Sequence, residues 1–159
     1  MAEKFAERWS RKECDCGFEA VASKMIACGP DVLPAVAAPC LTFDRADRPR
    51  PIWEVFGIPS QWSQAEREHL APYRVIGSDG AGNPICVEQG TGAVVLLDHE
   101  DRFRTRHFVN SSVRQLAECL LAYMGEEQPE RLLAALQAID PTAVAERSFW
   151  WHEIAGLGT

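Results

Sequence analysis

The sequence predicts an antiparallel sheet that leads directly into helices, and three observations carry this prediction. Short apolar runs between residues 73 and 109 alternate with turns that are rich in glycine. These turns hold too few residues for a crossover helix, so neighbouring strands must pair as antiparallel hairpins. The last run is followed by an amphipathic helix with small polar residues at its start. We therefore expect a meander of strands with helices after it.

Composition predicts one domain of ordinary size. The chain has 159 residues, of which 47% are hydrophobic and 25% charged, the proportions of a globular protein. Its net charge of −7 argues against a general nucleic-acid binder, which needs excess Lys and Arg to neutralise phosphates. No apolar run is long enough to cross a bilayer, and the N-terminus lacks the apolar core of a signal peptide. We expect a cytoplasmic protein that contacts neither membrane nor nucleic acid directly.

The N-terminal 40 residues are predicted to form a helical segment that contains cysteines and has no assigned role. Apolar side chains recur at helical spacing to about residue 28, and Gly29-Pro30 ends the helix. Prolines between residues 30 and 51 exclude a continuous helix there, since each interior proline costs about 3 kcal/mol. Within this stretch Leu41–Phe43 has the composition of a short edge strand, and residues 44–51 that of a solvated loop.

A short helix and four strands are predicted next. Ser63 and Glu66 have capping-box spacing, which indicates one or two helical turns that end before Pro72. The predicted strands are residues 73–77, 84–88, 93–98 and 106–109. Because no helix follows the loop that holds Gly77, Gly80 and Gly82, it lacks the helix N-terminus that would bind a phosphate. These glycines are interpreted as hairpin residues with positive φ.

Three helices are predicted after the sheet. The first follows Ser112, which has capping-box spacing with Gln115. The second covers residues 129–139. Asp140 precedes a proline and is predicted as the N-cap of the last helix, which ends before Gly156.

No set of residues predicts a catalytic site. The residue types of a hydrolase triad are present in Asp98, His99, His107, Ser111 and Ser112. No nucleophile-elbow motif accompanies them, and the serines have a sufficient role as helix caps. We therefore expect a protein that is not an enzyme and needs no cofactor.

The cysteines leave one alternative open. Four thiols lie within 27 residues: Cys14, Cys16, Cys28 and Cys40. Four thiolates can form a tetrahedral zinc site. Their spacing does not match a zinc finger or ribbon, so we interpret them as free thiols and keep zinc as the alternative. Cys86 and Cys119 fall on apolar faces and are predicted to be core residues.

Three segments resemble the SUKH superfamily, in particular its fourth group of immunity proteins. They are YRVIGSDGAGNPICVEQGTGAVVLLDHE at residues 73–100, FVNSSVRQLAECLLAY at 108–123 and IDPTAVAERSFWWHEI at 139–154. The resemblance covers roughly residues 50–155 and leaves the N-terminal 40 residues out. It implies an α+β fold with a mostly antiparallel, twisted sheet of about four to six strands and flanking helices.

The resemblance also implies a role in bacterial polymorphic toxin systems. Such a protein binds and neutralises a cognate toxin, often a nuclease or a nucleic-acid deaminase. The resemblance brings no catalytic residues to assign. Two alternatives remain: an adaptor or regulatory module without a toxin, and a metal-dependent hydrolase that uses the N-terminal thiols.

For the toxin contact we expect an acidic surface with one aromatic anchor, because a basic nuclease groove attracts carboxylates. The candidates are Asp79, Glu88, Asp98, Glu100, Asp101 and Trp151. Trp150 and Trp151 lie about 100° apart on a helix, so both cannot face the same core. One is predicted to be buried; the other either is partly exposed and serves as an anchor, or also packs against a neighbouring element.

Overall fold

The computed structural model describes residues 25–28, 31–34, 41–43, 50–57, 61–123 and 125–157, and of residues 25–28, 31–34, 42 and 43 only the backbone. The strands are β1 (Met25–Cys28), β2 (Asp31–Pro34), β3 (Leu41–Phe43), β4 (Arg50–Pro51), β5 (Tyr73–Asp79), β6 (Pro84–Glu88), β7 (Val94–Leu97) and β8 (Arg106–Asn110). The helices are α1 (Ile52–Val55), α2 (Gln64–Leu70), α3 (Val113–Tyr123), α4 (Pro129–Ile139) and α5 (Phe149–Leu157), with a 3₁₀ turn at Pro141–Val144.

The main sheet is an antiparallel meander, as predicted. Its strand order is β3-β5-β6-β7-β8, and β4 pairs with the same strand as β3. One row of partners runs across it through Val75, Cys86, Val95 and Phe108. The short edge strand Leu41–Phe43 is also confirmed. The α+β fold class follows from this sheet and the helices that succeed it.

Each face of the main sheet is covered by its own apolar core, since successive side chains of a strand point to opposite faces. One core joins the sheet to α3, α4 and α5, and its sheet residues include Ile76, Ile85, Val94 and Leu96. The other joins it to α1 and α2, and its sheet residues include Val75, Cys86, Val95 and Leu97. Each fully buried Leu or Ile contributes about 1.5–3 kcal/mol. These two cores fix the sheet between helices on both sides.

The predicted starts of α2 and α3 are confirmed, whereas the last helix does not begin after Asp140: residues 141–144 form the 3₁₀ turn, and α5 begins at Phe149. At α2 the backbone N–H of Glu66 donates to Ser63 Oγ at 3.2 Å, and the Ser63 N–H donates to Glu66 Oε2 at 2.9 Å. At α3 the N–H of Gln115 donates to Ser112 Oγ at 3.2 Å. Each cap satisfies amides that the first helical turn leaves without a partner.

The helix predicted to about residue 28 is wrong for Met25–Cys28, which pairs with Asp31–Pro34 as an antiparallel hairpin. A short apolar run fits a strand as well as a helix, and here strand pairing supplies its backbone hydrogen bonds. Residues 1–24, where the rest of that prediction lies, fall outside the described residues. The loop predicted over residues 44–51 also ends in the strand Arg50–Pro51.

Two further expectations need correction. Of the three glycines interpreted as positive-φ positions, Gly82 has φ +91°, whereas Gly77 lies inside β5 beside a bulge and Gly80 is not left-handed. The last helix does not end before Gly156, because α5 continues to Leu157. None of the helices in the described part of the chain is long and apolar enough to cross a membrane.

Candidate partner-binding surface

The charged loop, residues 98–105, is held in one conformation by its own carboxylates. Asp98 Oδ1 accepts the N–H of Glu100 at 2.8 Å, and the Asp101 carboxylate accepts the N–H groups of Arg104 and Thr105, both at 2.8 Å. The Thr105 side chain, together with these two amides, lowers the pKa of Asp101. Asp98 and Asp101 therefore act as internal supports of the loop.

A buried phenylalanine anchors the charged loop to the core. Arg102 and Phe103 have left-handed φ values of 62° and 65°, which are uncommon for residues other than glycine. The Phe103 ring is 6% exposed, and its centroid lies 5.5 Å from that of Phe56 and 5.8 Å from that of Trp62. Burial of this ring offsets the cost of the strained backbone, which is of order 1–3 kcal/mol per residue.

An ion pair joins the charged loop to the start of α2. Arg102 Nε lies 2.6 Å from Glu66 Oε1, and the guanidinium carbon lies 5.5 Å above the ring centre of Trp62. The Arg102 hydrogen bond, followed by those from Ser63, lowers the pKa of Glu66 to about 2. The loop is thus fixed at the backbone, at Phe103 and at Arg102.

Asp79 lies next to the charged loop. Its carboxylate accepts the N–H groups of Ala81 and Asn83 at 2.9 and 2.8 Å, which closes the β5–β6 hairpin. Asn83 Oδ1 in turn accepts the N–H of His99 at 3.0 Å. Through Asn83, Asp79 is therefore linked to the charged loop at His99, the residue between Asp98 and Glu100.

Glu88 lies at the other end of β6. Its carboxylate accepts the Thr91 hydroxyl at 2.7 Å and lies 3.4 Å from Arg106 Nη2. Glu100 differs from the other acidic candidates, because it is exposed and its carboxylate has no partner among the described residues. Among the acidic candidates, Glu100 is therefore the one most freely presented to a partner.

Of the two arrangements expected for the tryptophan pair, the structure shows the one in which Trp151 is partly exposed. It is 41% exposed, whereas Trp150 is fully buried. Trp151 lines an open groove of about 730 Å³ between β8 and the start of α5, which we call the β8 groove. The side chains that define this groove are Arg106, His107, Phe108, Arg147, Trp151 and His152. Arg106 belongs to the groove and also pairs with Glu88, so it connects these two candidates.

A buried polar cluster that the sequence did not predict lies beneath this surface. Asp140 does not cap the helix that follows it; its carboxylate accepts the Ser111 N–H at 2.7 Å and the Ser111 hydroxyl at 2.9 Å. Asn110 Nδ2 donates to the same carboxylate at 3.1 Å. The Ser111 hydroxyl therefore donates to Asp140 and not to a histidine. His99 lies in the charged loop, and His107 lies in the β8 groove. The triad residue types do not form a catalytic arrangement.

The cysteines in the described part of the chain are core residues, as predicted. Cys86 and Cys119 are buried, and burial raises the pKa of both thiols, that of Cys119 to about 12. Within the described ranges no three His, Cys, Asp or Glu side chains are grouped to hold a metal ion. The zinc alternative rests on Cys14, Cys16 and Cys40, which lie outside those ranges, and on the Cys28 side chain, which is not described.

Comparison with known proteins identifies one family. A family model described as SUKH-4 immunity protein matches residues 31–156. The match begins at the first residue of β2 and ends within α5, so it covers the main sheet and both of its cores. Searches of the curated proteins and of the solved structures returned no match.

Proposed function

The chain belongs to the SUKH-4 family of immunity proteins, and on this premise we propose that it binds and neutralises a cognate bacterial toxin domain. Binding is stoichiometric and non-catalytic, and it takes place in the cytoplasm. The observation that carries the proposal is the family match over residues 31–156. It is supported by the acidic candidates themselves: Asp98 and Asp101 hold the charged loop in one conformation, and Glu100 is exposed on that loop.

The net negative charge of the protein indicates a partner with a basic surface. Residues 31–156 hold 11 arginines against 18 Asp and Glu, which leaves −7 in the matched segment, whereas residues 1–30 are neutral. A toxin domain that acts on nucleic acid, such as a nuclease or a deaminase, needs a basic surface to hold phosphates. Opposite charge steers the encounter of such partners and raises the association rate.

The charged loop suits a binding role because it is organised before a partner arrives. Three fixing points hold residues 98–105, so little conformational entropy is lost when the loop binds. Strained backbone in residues other than glycine is concentrated at functional positions, and Arg102 and Phe103 fit this pattern. We propose that Glu100 is the exposed contact of this loop and that Asp79, Asp98 and Asp101 add to its negative field. Glu88 and Trp151 extend the surface along β8.

The decisive experiment is co-expression with the toxin domain encoded beside this gene. We expect the protein to restore growth of cells that produce the toxin domain and to co-purify with it at equal stoichiometry. A catalytically inactive toxin domain serves as bait for the complex. If no neighbouring toxin candidate is neutralised or bound, the proposal fails, and the alternative of an adaptor or regulatory module gains support.

A further inference from the structure

The strand β8 is the last strand of the main sheet. No strand in the described part of the chain pairs with its outer side. The outward N–H and C=O groups of an edge strand are a template for another extended segment. The 3₁₀ turn and α5 pack near β8 without adding backbone hydrogen bonds to it.

The β8 groove runs along this edge. It is lined by Arg106, His107 and Phe108, three consecutive residues of the strand. Consecutive side chains of a strand point to opposite faces of the sheet, so a groove that touches all three follows the strand's edge. Trp151 and Arg147 form the opposite wall. A segment in this groove would therefore have the edge backbone on one side and an aromatic side chain on the other.

The chemistry of the groove is basic and aromatic on a protein that is acidic. Arg106 and Arg147 are two of the nine arginines in residues 50–157, and Glu146 is the one acid among the lining residues. Arg147 is exposed, has φ 66°, and forms no ion pair with another described residue. Arg106 is already paired with Glu88, so the positive charge that favours a carboxylate in this groove comes chiefly from Arg147.

We propose that the β8 groove binds an extended, acidic and apolar segment of the partner, which adds to the main sheet as a strand beside β8. Backbone hydrogen bonds supply affinity in this mode, and side chains at alternate positions supply specificity. A carboxylate of the segment contacts Arg147, and an apolar side chain packs on Trp151. The identification of the partner as the toxin rests on the proposed function, whereas the binding mode does not.

A second copy of this chain fits the same edge less well. Antiparallel pairing of β8 with β8 around a twofold axis would place two positive grooves side by side. Like charges that face each other across paired strands are destabilising. Charge complementarity therefore selects an acidic segment over a homodimer.

The first test uses peptides and does not need the toxin. A phage library of random peptides of about eight residues, the length of a typical strand, is selected on the wild-type protein and on the W151A/R147E variant. We expect the wild type to enrich peptides that alternate acidic and large apolar residues, with at least about tenfold weaker binding to the variant. In ¹⁵N NMR spectra an enriched peptide should shift the amides of Arg106–Asn110 and show contacts across β8. Absence of enrichment, or shifts confined to another surface, would overturn the proposal, as would a stable dimer that pairs through β8.

The second test uses the toxin domain with matched controls. Trp151→Ala and Arg147→Glu should each weaken binding about tenfold or more. The controls are Leu133→Ala and Arg131→Glu on α4. Leu133 is as exposed as Trp151, at 40% against 41%, so it is a matched apolar control. Both control residues lie outside the groove, so we expect these substitutions to leave binding unchanged. If the toxin binds all four variants like the wild type, the groove proposal is wrong and the immunity function stands. If the toxin does not bind the wild type, the proposed function fails and the peptide selection still decides the groove.

Discussion

The indole Nε1 of Trp150 donates a hydrogen bond of 2.9 Å to Oδ1 of Asn110, and both side chains are fully buried. The amide nitrogen of Asn110 donates onward to Asp140, and Asp140 accepts from the N-terminus of α3 through Ser111. One polar chain therefore connects β8, α3, the end of α4 and α5. A buried polar group that loses its partner costs about 1–3 kcal/mol, so this chain stabilises the fold only when it is complete.

Asn110→Ala should lower the free energy of unfolding by about 2–4 kcal/mol, because it leaves the Trp150 N–H unsatisfied and removes one donor from the buried Asp140 carboxylate. Urea denaturation followed by tryptophan fluorescence measures the change. Ser112→Ala at the neighbouring helix cap is the comparison, and we expect a loss of about 1 kcal/mol there. A smaller loss in Asn110→Ala than in Ser112→Ala would contradict the role given to the polar chain.

The meander and the starts of α2 and α3 could be predicted because their signals are local. Glycine turns between short apolar runs indicate hairpins, and Ser63 lies three residues before its capping partner Glu66. The role of Asp140 has no such signal. Its position before a proline is typical of an N-cap, but its carboxylate binds Ser111, 29 residues away in the sequence. The Asp140 carboxylate could bind either the amides of the following turn or Ser111, and the tertiary contact with Ser111 is the one that forms.

The candidate surface was predictable in composition and not in conformation. Acidic residues are visible in residues 98–101, but the sequence does not indicate that Asp98 and Asp101 bind the loop's own backbone. Phe103 stands between two arginines in a charged stretch, which suggests exposure, yet its ring is buried against Trp62. Helix geometry separates Trp150 and Trp151 by about 100°, but it does not decide exposure, because the adjacent Phe149 and Trp150 are both buried in the same core.

Phe103→Ala should release the charged loop. Truncation of a buried phenylalanine costs about 3–5 kcal/mol, and here it also removes the contact that holds two left-handed residues in place. We expect the amide of Phe103, which donates to the Asp98 carbonyl at 2.7 Å, to exchange hydrogen much faster than in the wild type. Hydrogen exchange by NMR measures this. Unchanged protection of residues 98–105 would show that the loop carboxylates and the Arg102–Glu66 ion pair fix the loop without the Phe103 ring.

The ion pair between Glu66 and Arg102 should make stability depend on pH in a defined window. The pKa of Glu66 is lowered from 4.5 to about 2, so the unfolded chain takes up a proton at higher pH than the folded protein. Its contribution is therefore present in full above pH 4.5 and is lost as pH falls through 2. The difference in unfolding free energy between wild type and Glu66→Gln should be constant at neutral pH and shrink across this window. Glu68→Gln, on the same helix, controls for removal of a charge, and an equal pH dependence for both variants would contradict the prediction.

Glu100→Lys should separate the charge of the acidic surface from the structure of the charged loop. Reversal at Asp101 would also remove the hydrogen bonds to Arg104 and Thr105, whereas the Glu100 carboxylate supports nothing in the loop. We expect toxin affinity to fall about tenfold at an ionic strength of about 0.05 M, mainly through a slower association rate, and the gap to close near 1 M, where screening is nearly complete. Biolayer interferometry at both salt concentrations measures it. Glu127→Lys, an exposed acid between α3 and α4, carries the same change in net charge. If it weakens association as strongly as Glu100→Lys, the toxin responds to the net charge of the protein, and the charged loop is not its contact.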